Sequence, residues 1–392
     1  MQYSDDYSLQ PSCIVLDSDA LSHNIHFLRS IGKTDVKISS VIKGNAYGHG
    51  ISKFLPMAEQ NGVDHFSVFS ADEAKIALNS RTNPETDIMI MGMIRDSEME
   101  WAIKNDIEFY VFEQDRLHAA IRSAKKREKK ARIHLQIETG MNRTGFERKN
   151  WEAVLQTVAS NQNRVDLKGI CTHYAGAESV ANHYRIQKQN KTFKEFLTLA
   201  ESILEKMPSI HASSSAAYIT RPEMHYDMVR VGIAQYGFWP SRETYMHYMK
   251  SNGMEEGEDP LRRVLTWKSE VMSLKKVESG EFIGYGTVYL AGRDMTIATV
   301  PIGYSHGFGR NLTNTGYVLV NGVRAGVVGL VNMNMITLNV SHIEEVKKGD
   351  EVVMIGHQGD DAITVASFGE MTNNLNYEVL VRLPASIPRM VK

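Results

Sequence analysis

The sequence predicts an α/β chain: a (β/α)8 TIM-type barrel followed by a second, mostly β C-terminal domain. Three observations predict it. Eight strand signals recur at fairly even intervals between Val36 and Gly232, with helical stretches between them. Residues suited to chemistry, Lys43, Arg143, His173, Ser215 and Gly232, fall at or just after the ends of those strands, where such barrels keep their active sites. Beyond Gly237-Phe238-Trp239-Pro240 the helical signals give way to alternating or apolar runs between turns, the mark of a β domain.

In chain order, a short apolar piece, Cys13–Leu16, precedes a helix that Asp17 or Ser18 caps and that runs to about Ser30. The barrel strands follow as Val36–Ile42, His65–Phe69, Ile88–Gly92, Ile107–Phe112, Ile133–Glu138, Leu167–Thr172, Ser209–Ala212 and Met228–Gly232. Ala71–Leu78, Asp115–Lys126 and Trp151–Ala159 are among the helices between them. The barrel domain is expected over 11–240, with its first strand (11–17) free to join the β domain instead, and the β domain over 241–392. Residues 241–260 are polar, with an acidic stretch from Met254 to Asp259, and read as a linker or exposed insertion. Strands are then expected at Val264–Leu274, Met295–Val300, Gly316–Val320, Ala325–Val328, Met335–Val340 and Glu351–Ile355.

The chain has 392 residues, enough for two domains and a large core. A net charge of −2 draws it neither to nucleic acid nor to an anionic membrane. The basic run Lys125–Lys130 ends a helix, where cations suit the dipole and solvent, and no aromatics interleave with it. Cys13 and Cys171 make no disulfide framework. The start, Met1 to Asp6, is polar and acidic rather than signal-like, and no run approaches a membrane span. The expectation is a cytoplasmic protein.

The chemistry concentrates at Ser39-Ser40-Val41-Ile42-Lys43-Gly44-Asn45-Ala46-Tyr47-Gly48-His49-Gly50. A lysine at the lip of a buried strand stands on an apolar floor, which lowers an ammonium pKa and frees the amine for Schiff-base chemistry. Three glycines let backbone approach something bulky. Downstream lie a hydroxyl-rich turn, Ser213-Ser214-Ser215, and a strand end, Arg230-Val231-Gly232-Ile233, whose glycine lets amides point at an anion. In such barrels the loops after strands seven and eight often bind phosphate. Arg143 suits bidentate carboxylate binding. Each residue alone has an ordinary reading: a strand cap, a helix N-cap, a surface arginine, a structural histidine, a hairpin tyrosine. No His/Cys/Asp/Glu spacing resembles a metal site.

Taken together, from roughly Pro11 to Arg389, these segments resemble the alanine racemase family. The resemblance implies pyridoxal 5′-phosphate (PLP) carried on Lys43, with Tyr47, Ser215, Gly232 and Ile233 on its phosphate, His173 packed on the ring and Arg230 donating to the pyridine nitrogen. His211 matches a supporting histidine. Arg143 then lies by the phenolic oxygen and the substrate carboxylate. Ile283-Gly284-Tyr285-Gly286-Thr287 resembles the catalytic tyrosine segment, so Lys43 and Tyr285 become the two bases, on opposite faces of the reacting carbon. In the family that tyrosine reaches across a homodimer interface. Gly303-Tyr304 matches an entrance tyrosine, and Met333 is implied through its backbone amide at the substrate carboxylate. The implied function is L/D-alanine interconversion that supplies D-amino acids for peptidoglycan.

Several positions depart from the family's pattern. Gly44 replaces the usual alanine and Glu138 a common aspartate. Gln136 stands where many members carry a carbamylated lysine, so a carbamate is excluded, and a chloride would be one replacement for its charge. Asn334 replaces an aspartate. Ala385 replaces an entrance tyrosine, which opens the way to longer side chains. The alternative expectation is therefore a broader racemase acting on serine, lysine or arginine. A PLP-dependent decarboxylase of similar architecture would need a cysteine in the β domain, and both cysteines lie within the first 171 residues. A non-catalytic PLP carrier would lack the second domain and Tyr285.

Overall fold

A computed structural model describes residues 12–32, 35–253 and 259–392. They form two units, one of Asp19–Gly44 and Phe54–Arg262, the other taking its described residues from Met1–Ser18, Asn45–Lys53 and Arg263–Lys392. The first strand, β1 (Cys13–Leu16), belongs to the second unit: it pairs antiparallel with the strand Leu265–Glu270 and parallel with Arg389–Val391.

The first unit is a closed parallel barrel of β2 (Lys37–Val41), β3 (His65–Val68), β4 (Asp87–Ile90), β5 (Glu108–Val111), β6 (Ala131–Gln136), β7 (Val165–Cys171), β8 (Ser209–Ser214) and β9 (Met228–Val231). All eight expected strands are present, each within a few residues of its expected bounds. The pairing closes where Lys37–Ser40 of β2 meets Met228–Val231 of β9. Helices cover it outside, among them Ala71–Ser80, Gln114–Arg127 and Trp151–Ala159. Lys126 and Arg127 pair with Glu100 at 2.6 and 3.1 Å and Lys129 with Asp106 at 2.6 Å, so the basic run is a set of surface ion pairs. The stretch expected as a linker carries the helix Arg242–Ser251, with Ser241 as its cap and Thr244 and Met249 buried. Of the acidic stretch beyond it, Met254–Glu258 lie outside the described residues.

The second unit is a ten-stranded sheet. Its remaining strands are β10 (Leu265–Glu270), β11 (Ser273–Val277), β12 (Met295–Val300), β13 (Tyr317–Val320), β14 (Val323–Val327), β15 (Ile336–Asn339), β16 (Glu351–Gln358), β17 (Asp361–Ile363) and β18 (Arg389–Val391). The run Val264–Leu274, expected as one strand, is two. Val271 N–H donates to Asp350 while Met272 N–H donates to Thr299, so the chain changes partner from β16 to β12 at that corner. Trp267, Phe308 and Phe368 pack as an aromatic cluster with ring centroids 5.8–6.5 Å apart. Among the described residues no helix is long and apolar enough to cross a membrane.

Candidate active site

The lysine segment leaves the C-terminal end of β2. The five-residue helical turn Lys43–Tyr47 is left-handed: Gly44, Asn45, Ala46 and Tyr47 all have φ between +50° and +63°. Left-handed helix costs about 1–2 kcal/mol per non-glycine residue, so this turn persists only because its surroundings fix it. Glycine at position 44 lowers that cost. Gly44 N–H donates to Glu73 Oε1 at 2.6 Å and Phe69 N–H to Oε2 at 2.9 Å, so one carboxylate ties the turn to the loop after β3. Lys43 reaches solvent in the isolated chain, yet protein crowds its ammonium. That crowding, with the Arg143 and Arg230 charges, lowers its pKa against the weaker opposing pull of Glu73.

Arg230 on β9 is buried and faces inward. It donates to the Thr172 carbonyl at 2.8 Å, the Ala212 carbonyl at 3.0 Å and His211 Nδ1 at 2.5 Å. Asp227, the nearest carboxylate in sequence, accepts from Ile210 N–H instead. His173, just after β7, receives a longer contact from Arg230 at 3.4 Å. Burial, then the charges of Arg230, Arg143 and Lys43, push its imidazole down to about 3, so it is neutral near pH 7. Ser215 opens the short helix after β8, and its hydroxyl accepts from Gly232 N–H at 2.9 Å. That bond joins the loops after β8 and β9, with Ile233 starting the turn that follows.

Arg143 sits on the loop after β6. The Glu138 carboxylate caps that loop, accepting from the N–H groups of Gly140, Asn142 (2.9 Å) and Arg143 (3.3 Å). Gln136 at the end of β6 accepts from the Thr144 hydroxyl at 3.1 Å. Lys43, Arg143, His173, Ser215, Arg230, Gly232 and Ile233 thus belong to the barrel unit, at its strand C-termini. They combine three cations, a neutral imidazole and two joined loop ends, a donor set that fits an anionic, flat ligand.

Tyr47, Tyr285 and Met333 belong to the sheet unit. Tyr47 is buried beside Tyr377, ring centroids 6.0 Å apart, and burial pushes its phenol well up. Tyr285 opens a short turn flanked by Gly284 and Gly286, both at positive φ, and is 75% exposed. Tyr285, Tyr304, Asn332 and Met333 line a cavity of about 540 Å³. The two loops there nearly touch: Tyr304 N–H donates to the Asn332 carbonyl at 3.0 Å, and a Cβ on Gly303 would stand 2.1 Å from that oxygen. The Met333 carbonyl accepts from Ser305 N–H and Oγ, while its side chain is 56% exposed. Ala385 is exposed.

One buried group escaped the reading of spacings. His65, Glu108 and His134 bring ligand-type atoms within 4.8 Å of one another inside the barrel. They come from β3, β5 and β6, 26 to 69 residues apart, so no local pattern joins them. The available signal was ionisable residues within strands expected to be wholly buried.

Two family models match the chain: Alanine racemase, N-terminal domain, over residues 16–240, and Alanine racemase, C-terminal domain, over 264–391. The chain is 34% identical over 385 residues to an alanine racemase of Leptospira interrogans, covering 97% of this chain and 95% of that one. Its fold is similar to that of alanine racemase from Clostridium difficile 630, with a TM-score of 0.89 at 29% identity, covering 98% and 97% of the two chains. It is similar also to alanine racemase from Bartonella henselae with covalently bound pyridoxal phosphate, at a TM-score of 0.79 and 25% identity, covering 97% and 99%.

Proposed function

The chain belongs to the alanine racemase family, and on that premise we propose that it interconverts L- and D-alanine with PLP, using Lys43 and Tyr285 as its two bases. The observation that carries this reading is Lys43 itself: an ammonium with a lowered pKa, held on a strained turn among Arg143, Arg230 and His173. PLP, when bound, supplies an aldehyde for an amine and an electron sink that acidifies the Cα–H of an amino acid.

The protein's own residues supply the rest. Lys43 Nζ would hold the aldehyde and, released when the substrate's own amine takes its place, would move a proton at Cα on one face. Tyr285 Oη, from the other subunit of a homodimer, moves a proton on the opposite face, so each group is acid for one enantiomer and base for the other. The exposure of Tyr285, with Phe282 and Leu290 also more than half exposed beside it, supports a partner-facing role. Arg230, a permanent cation that only donates, would keep the ring nitrogen unprotonated. The sink would then be weaker, so the two bases would carry more of the work and side reactions would be restrained. His173, neutral, would pack against the ring without adding charge. Ser215, Tyr47 and the amides at Gly232 and Ile233 would hold the phosphate, while Arg143 and the Met333 amide would orient the carboxylate. The product serves peptidoglycan in the cytoplasm.

A polarimetric assay of purified, PLP-loaded protein with L-alanine tests this. Tyr285→Phe should keep PLP and lose activity by about 100-fold or more; full activity in that variant would remove Tyr285 as a base. Ala385 favours a second reading, a broader racemase, because its methyl group leaves the family's entrance tyrosine position without a ring. Comparing kcat/KM for alanine, serine, lysine and arginine separates the two, and a sole preference for alanine sinks the broader one.

A further inference from the structure

A line of polar side chains crosses the barrel interior, where such folds ordinarily pack branched aliphatics. Arg230 Nη1 donates to His211 Nδ1 at 2.5 Å, His211 Nε2 lies 2.8 Å from His134 Nδ1, and His134 Nε2 lies 2.8 Å from Glu108 Oε2. The other carboxylate oxygen of Glu108 meets Arg132 at 2.8 Å. Both imidazoles and the carboxylate are at most 2% exposed.

The two ends fix the direction of every bond. A guanidinium only donates, so His211 accepts at Nδ1 and carries its proton on Nε2. His134 must then accept at Nδ1 and donate from Nε2 to the carboxylate, which only accepts. A second proton on either ring would set donor against donor, so both rings are neutral. Burial, above all, lowers the pKa of each ring. The Arg230 charge adds to this at His211, and burial prevails over the opposing Glu108 carboxylate at His134.

The backbone makes room for this line. The parallel register shifts at Ile133/His134 between β6 and β7, and again between His211 and Ser214 of β8 against β9. Such irregularities re-aim side chains. Between the two histidines β7 carries Gly169, where a Cβ would stand 2.1 Å from His134 Nδ1 and 3.0 Å from His211 Nε2.

Resting on the reading of Arg230 given above, we infer that Glu108 is a positioning residue: through His134 and His211 it locks one tautomer at each ring and so holds the Arg230 guanidinium in a single orientation. A metal ion on His65, Glu108 and His134 is the competing use of the same atoms. It would require the Nε2 protons of His65 and His134, which face Glu108 Oε2, to be absent.

The test begins with the wild-type holoenzyme. Its histidine ring nitrogens, labelled with ¹⁵N, should report His134 and His211 as neutral and protonated on Nε2 throughout the neutral pH range. A charged ring, an Nδ1 proton on either, or a metal-bound Nε2 overturns the inference, whether or not the protein racemises anything. The L-alanine assay separately judges the function it rests on. Glu108→Gln sets an amide donor against either Arg132 or the imidazoles, and Gly169→Ala pushes the rings apart. Each should lower kcat about tenfold with KM moved less than about twofold, and the double variant should be no worse than the poorer single one. Effects that multiply would show independent, merely structural roles. If either variant fails to fold, the wild-type tautomers still decide.

Discussion

Lys43, Arg143 and Arg230 gather positive charge around one neutral imidazole, and that imbalance defines what the site accepts. A lone amine in such company sheds its proton more readily, and an anionic ligand relieves the repulsion among all three. Ser215 Oγ, which accepts from Gly232 N–H, keeps its own hydroxyl proton to donate at the same strand ends. Lys43, Arg143, His173 and Arg230 were legible from residue type at strand ends together with family resemblance. Glu108, His134 and His65 were not, because their meaning lies in three-dimensional pairing across strands far apart in sequence. The proposed wider substrate range rests on Ala385. Restoring bulk with Ala385→Tyr should reduce kcat/KM for lysine or arginine relative to alanine by about tenfold or more, since one or two methylenes are worth about 1–3 kcal/mol in a fitted pocket. Competition assays on mixed substrates measure that ratio, and an unchanged ratio would show that position 385 does not face the side chain.

At the scale of elements, the turn Lys43–Tyr47 is the one most at odds with ordinary backbone preference. Three non-glycine residues in left-handed conformation are kept there by what surrounds them. Arg389 is part of that support: it donates to the Gly48 carbonyl at 2.8 and 3.2 Å and to the carbonyls of Leu383, Pro384 and Ile387. Gly48 itself, at φ +79°, lies so close to the 376–381 helix that a Cβ would stand 2.0 Å from the Leu380 carbonyl. Gly48→Ala therefore combines backbone strain with a backbone clash. It should cost more than about 2 kcal/mol, readable as a fall in Tm and a weaker hold on PLP; a Tm within a degree of wild type would mean the two segments separate easily. The glycines of this run were legible as a close approach, but its handedness was not, because Ala46 and Tyr47 carry no local signal for positive φ and Asn45 alone carries a weak one. The corner at Val271–Met272 was hidden for a similar reason: alternation continues through it, and only the change of hydrogen-bonding partner breaks the strand. The helix Arg242–Ser251 was hidden by its polarity, with Thr244 and Met249 alone buried.

For the molecule as a whole, burial of neutral imidazoles in both units ties stability to pH. His49 in the sheet unit is held down to about 4, mainly by burial and against its bonds to the Ala46 and Tyr47 carbonyls; His173 in the barrel unit is held down to about 3. In the unfolded chain each has an ordinary value of about 6.5. Above about pH 7.5 the folded and unfolded chains carry nearly the same protons on these rings, and stability hardly depends on them. Below it the unfolded chain binds protons that the folded chain refuses, so stability falls as pH falls toward about 4 for one ring and about 3 for the other. Each ring contributes a slope approaching 1.4 kcal/mol per pH unit, and His134 and His211 act in the same direction. Glu108, whose carboxylate is held well below the carboxylate range by hydrogen bonds from His134 and His65 despite burial, adds to the loss at still lower pH, where the unfolded carboxylate protonates first. Against a total stability of about 5–15 kcal/mol, two pH units below neutrality are enough to bring unfolding within reach. Thermal unfolding of the PLP-free protein should give a nearly flat Tm above about pH 7.5 and a decline that steepens through about 6.5 toward about 5. Replacing His49 with Gln, an uncharged donor and acceptor, should flatten part of that decline even though it lowers Tm at neutral pH. A Tm that held steady through pH 5, or a decline untouched by His49→Gln, would show that these rings stay neutral in the unfolded chain too or that other groups govern acid unfolding.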